Sequence, residues 1–60
     1  MRLVTDTKVK LVYPGAPYPY VATYKAINLD SLRLVFMLNN DELEISLNDF
    51  QQGKVKLIEV

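Results

Sequence analysis

Apolar and polar side chains alternate along most of this 60-residue chain. In Thr7-Lys8-Val9-Lys10-Leu11-Val12-Tyr13, Val9, Leu11 and Tyr13 share one face while Lys8 and Lys10 share the other. That period of two marks a half-buried strand. Tyr20 to Asn28 is also β-prone, but its facing stays open. With Lys25 outward, Ala22, Tyr24 and Ala26 point inward and Val21 and Ile27 outward; a bulge near Ala26 lets both ends reach a core. A third strand over 32–38 places Leu32, Leu34, Phe36 and Leu38 on one face. A fourth, Asp41 to Leu47, sets Leu43, Ile45 and Leu47 against Glu42, Glu44 and Ser46. The last, Lys54 to Val60, sets Val55 and Leu57 against Lys54 and Lys56.

The connections are legible from their turn chemistry. Pro14-Gly15-Ala16-Pro17-Tyr18-Pro19 breaks any ladder, because proline lacks the N–H a strand must donate, and reads as a long extended loop. Asn28-Leu29-Asp30-Ser31 carries the short polar side chains that bond nearby backbone in turns. Asn39-Asn40 predicts a two-residue hairpin of type I′, since asparagine tolerates positive φ. The single helical signal is short. Asn48 is placed to cap it, Gln51 to reciprocate, Gly53 to close it in a left-handed conformation, and Phe50 to plug one end of a core.

Five strands in a chain of this size predict a single all-β domain spanning residues 1–60, its sheet closed on itself as a small barrel. The order of elements resembles the SH3-like small barrel: strand, long first loop, strand, tight turn, strand, hairpin, strand, one helical turn, last strand. The resemblance is one of layout and covers roughly Thr7 to Val60. It implies a long loop flanking a binding groove. The acidic tyrosine motif of signalling SH3 domains is not present, so the layout implies a fold rather than a specific ligand. An OB-fold is the runner-up, although it ordinarily uses more residues and a longer helix.

Composition narrows the chemistry. The chain has no cysteine, histidine or tryptophan, which removes disulfides, Cys/His zinc sites and the usual nucleophile–base pairs. Seven basic and seven acidic residues give zero net charge, and half of the residues are hydrophobic, so the chain reads as globular and is no polycation. Its longest apolar run, Leu34 to Leu38, is far short of the roughly 20 residues that span a bilayer. The segment Met1-Arg2-Leu3-Val4-Thr5-Asp6 carries no apolar signal run. The expectations are a cytoplasmic chain with no membrane partner, no catalysis, no cofactor, no metal and no small-molecule substrate.

Three surface features remain as candidate sites. Tyr13, Tyr18 and Tyr20, interleaved with prolines, offer rigid amphipathic contact area for a protein partner; equally, prolines and tyrosines stiffen a long loop in a small fold. Val35 and Met37 face outward if Leu34 and Phe36 face the core, and outward apolar residues mark a partner or homodimer surface unless neighbouring stems cover them. Lys8, Lys10, Lys54 and Lys56 on the first and last strands would form a local basic patch for nucleic acid, or simply guard strand edges. The leading expectation is a non-catalytic protein-interaction module or small accessory subunit. It would bind another protein, or a second copy, through Tyr13, Tyr18, Tyr20, Val35 and Met37. The alternative is nucleic-acid binding through the lysines.

Overall fold

The computed structural model describes residues 3–60; Met1 and Arg2, read above as part of the N-terminal segment, lie outside the described residues. Five strands and one short helix follow in the order β1 (Lys8–Val12), β2 (Tyr20–Asn28), β3 (Arg33–Leu38), β4 (Asp41–Ser46), α1 (Leu47–Gln51) and β5 (Lys56–Glu59). All pairings are antiparallel, in the spatial order β4-β3-β2-β1-β5. The fold is therefore all-β apart from one short helix, and its sheet is open. Among the described residues no ladder joins β4 to β5, so strand pairing does not close the sheet into the barrel expected from the sequence. The segment between those two edge strands acts through side chains instead: Leu47, Phe50 and Val55 pack against the core. No helix among the described residues is long and apolar enough to cross a membrane.

The alternation read from the sequence becomes the core. Val9, Leu11, Ala22, Tyr24, Leu34, Phe36, Ile45 and Val55 are buried together. Phe36 is fully buried, and its ring meets Tyr24 edge-on at 5.9 Å and Phe50 at 6.4 Å between centroids. The edge-on contact with Tyr24 aligns the ring quadrupoles and adds to the burial of area, while the Phe50 ring is tilted at 49°. The rings thus run from β2 through β3 to α1.

The open register of β2 is settled by a bulge between Tyr24 and Ala26. Before it, Ala22 and Tyr24 face the core, and Val21 pairs with Lys10 on the outer face. After it the facing inverts: Ala26 pairs with the outward Val35, and Ile27 with the buried Leu34. The extra residue, Lys25, is held from the preceding segment. Its carbonyl accepts from the Thr5 hydroxyl, its ammonium pairs with Asp6, and Tyr24 exchanges backbone hydrogen bonds with Asp6 and Thr7.

Turn chemistry departs from expectation at three places. Leu32 does not begin β3; it sits at φ +55 and is 55% exposed, while its carbonyl accepts from the Leu47 N–H. The cause lies upstream, where the Asn28 carboxamide accepts from the Asp30 and Ser31 N–H groups and fixes the turn. In the β3–β4 hairpin only Asn39 has positive φ. A type I′ turn needs it at both central residues, so the sign pattern is that of type II′. The helix cap is Ser46 rather than Asn48: its hydroxyl accepts from the Asn48 N–H at 3.1 Å, which ends β4 one residue early. Gly53 closes the helix at φ +76, as expected.

Two stability changes of opposite sign follow. A 60-residue domain has roughly 3–9 kcal/mol in hand, and Phe36→Ala removes about 3–5 kcal/mol. Urea denaturation is expected to find that variant largely unfolded without denaturant. Leu32→Gly is expected to add up to about 1 kcal/mol of stability and so to raise the midpoint, because an exposed leucine is held at a positive φ that glycine adopts without strain. A lower midpoint for Leu32→Gly would mean that its side chain packs usefully.

Candidate functional site

The core face of the sheet runs on past its buried part at the end where the 13–19 loop and the β3–β4 hairpin lie. Tyr20 pairs with Leu11, so it stands on the same face as the core, and Leu38 and Leu43 reach that face from β3 and β4. Tyr13 comes from the end of β1. Together with Ala16 these side chains line an open groove of about 410 Å³.

The loop that walls the groove is shaped by its own sequence. The Ala16 N–H donates to the Tyr13 carbonyl at 3.0 Å, and Gly15 between them has φ +88. With Pro14 ahead of that glycine, this is the residue pattern of a type II turn. The turn brings Ala16 back over the groove. Tyr13 and Tyr20 meet edge-to-face, 5.9 Å between centroids at 76°. Tyr18, between two prolines near the end of the loop, is 77% exposed.

The groove is apolar with one charge nearby. Burial raises the Tyr13 phenol above its ordinary pKa of 10.0, and the Asp49 carboxylate and Tyr20 push it the same way. Asp49 lies in the first turn of α1. Tyr13 is therefore a neutral hydrogen-bond donor at any physiological pH.

The sequence-derived site residues divide between two faces. Tyr13 and Tyr20 share the groove, and Tyr18 is exposed in the loop that leads into β2. Val35 and Met37 lie on the outer face, flanked by Ala26 and Thr23 on β2 and by Glu44 and Glu42 on β4, and both are half-buried. The lysines belong to that outer face too. Lys8 and Lys10 alternate with buried Val9 and Leu11, and Lys56 pairs with Val12. Lys54 lies before β5, outside the ladder. Ala16, Leu38 and Leu43 are groove residues that the sequence did not single out. Leu38 and Leu43 read there as ordinary core positions, and nothing in a period-two pattern tells which end of a core face stays uncovered.

In comparisons with protein-family models, curated proteins and solved structures, no match to this chain was found.

The Tyr13 environment sets a pH dependence. Because its pKa is raised on folding, the folded state keeps the proton longer, so the associated stability is intact below pH 10 and falls as pH rises through the folded value. Urea midpoints between pH 8 and about pH 12 are expected to fall more steeply for the native chain than for Tyr13→Phe. Equal slopes would show that Tyr13 titrates as it does in the unfolded chain.

Proposed function

We propose that this chain is a non-catalytic protein-interaction module, or small accessory subunit, of SH3-like layout, and that the groove beside the Tyr/Pro loop takes a short segment of a protein partner. The observation that carries this reading is the groove itself: aromatic and aliphatic side chains converge there on an open apolar surface that continues the buried core of the sheet. Rigid tyrosines supply contact area at low entropic cost, and the exposed Tyr18 adds an anchor beside the groove. The order of elements, the long first loop and the pairing of the first and last strands support the SH3-like layout. The nearby Asp49 carboxylate favours a segment with a basic residue next to its apolar one.

The nucleic-acid reading joined lysines to stacking tyrosines. Lys8, Lys10 and Lys56 lie on the outer face, whereas Tyr13 and Tyr20 lie on the other side of the sheet. A partner segment in the groove needs no such combination.

Selection of displayed peptides on the immobilised chain, followed by titration of synthetic copies, tests the proposal. Selected peptides are expected to bind Tyr20→Ala at least about tenfold more weakly, in line with loss of an aromatic anchor. Binding is expected to change little with salt and to be unaffected by Lys8→Glu/Lys10→Glu. Peptides indifferent to Tyr20→Ala would remove the groove from the account. Oligonucleotide binding with a steep salt slope, lost on Lys8→Glu/Lys10→Glu, would replace the proposal with the nucleic-acid reading.

A further inference from the structure

The outer face of the sheet carries its charge in two blocks. Lys8 and Lys10 on β1 and Lys56 on β5 lie toward one edge, and Glu42 and Glu44 on β4 form the other. Between them run Val21, Thr23 and Ala26 on β2 and Val35 and Met37 on β3. Val21 is 51% exposed, and so, at 48%, is Ile58 beside Lys10. One row crosses the sheet without a break: Lys8 pairs with Thr23, Thr23 with Met37, and Met37 with Glu42. It reads basic, polar, apolar, acidic. Arg33 departs from the pattern, at the far end of β3 beside Ser46. Among the described residues the one ion pair is Lys25–Asp6, so no lysine or glutamate of this face has a partner there.

The row from Lys8 to Glu42 is complementary to itself. A two-fold axis parallel to the strands, passing between β2 and β3, sets β1 of one copy over β4 of another. Lys8 then meets Glu42 of the second copy, twice by symmetry; Met37 covers Thr23, and Val35 covers Ala26. An axis across the strands would instead set lysine over lysine, so the charges select one arrangement. Zero net charge leaves no long-range repulsion between copies. We propose that the outer face binds a second copy of this chain, as a two-fold dimer with β1 over β4. Four strands overlap in this arrangement, β1 to β4, and at about 4.8 Å apart they make a face roughly 14–19 Å wide. The contact therefore falls below the roughly 800 Å² per copy of a standard-size interface, and a dissociation constant of micromolar order or weaker is expected.

Charge reversal tests the pairing. Sedimentation is followed from about 10 μM to about 1 mM for the native chain, for Lys8→Glu/Lys10→Glu, for Glu42→Lys/Glu44→Lys, and for an equimolar mixture of the two variants. All four positions are exposed, and circular dichroism confirms that each variant is folded. The native chain is expected to dimerise, each variant alone to associate at least about tenfold more weakly, and the mixture to recover dimer. Met37→Asp is expected to abolish dimers. A native chain that stays monomeric to about 1 mM overturns the proposal, as does a mixture that fails to recover dimer. Dimers lost on Tyr20→Ala but indifferent to the charge reversals overturn it too, and would assign self-association to the groove. The groove's own peptide binding is read separately, on the opposite side of the sheet.

Discussion

The ring of Phe36 is what the rest of the molecule is arranged around. It is fully buried at the middle of β3 and touches an aromatic ring on either side, Tyr24 from the sheet and Phe50 from the helix. A chain this small buries a low fraction of its surface and cannot spread its stability over many large side chains. One ring shared by two elements is therefore an economical solution. It also explains why so short a helix persists: five residues are far too few to form a helix alone, and α1 is held by the serine cap, the glycine stop and the packing of Leu47 and Phe50. Because the helix seats Phe50 against the middle of the core, the far end of the same face, by the 13–19 loop, is left to the groove.

Much of this was legible in the sequence. Strict alternation around Val9, Leu34, Phe36 and Ile45 announced three strands and their facing, since a shift of one residue would turn the whole set to solvent. The two-residue hairpin and the glycine at the helix end were readable because few residues tolerate positive φ. Two of the misread positions share a cause. Leu32 looks like the first member of an apolar face, but the Asn28 side chain organises the turn ahead of it and delays β3. Ser46 looks like an outward strand residue, and its hydroxyl caps the helix instead. In both, a short polar side chain overrode the local pattern through hydrogen bonds that hydropathy does not encode. The bulge was expected near its true place; which residue it expels depended on Thr5 and Asp6, some twenty positions away in the chain.

The candidate site was legible in kind and not in place. Tyrosines and prolines flagged the loop, and outward Val35 and Met37 flagged the sheet, yet the two belong to opposite sides. Period two sorts residues into faces; it does not say over which face a loop folds. The zero net charge likewise concealed a separation of charge that appears only when the strands are set side by side, with Lys8, Lys10 and Lys56 on the outer side of β1 and β5 and Glu42 and Glu44 on that of β4.

Strand order also governs how the chain comes together. Neighbours from β4 through β1 are consecutive in sequence, whereas β1 meets β5 across nearly the whole chain, with Val9 opposite Glu59. The four-strand meander grows by successive short closures; joining β5 closes a single long one, whose entropic cost must be met by four residues of pairing and the burial of Val55 and Leu57. The fifth strand is accordingly the last to dock and the first to detach. When it leaves, it uncovers the free side of β1 and opens the core at Val9 and Leu11, so the protein's least cooperative motion begins at the edge its sequence closes last.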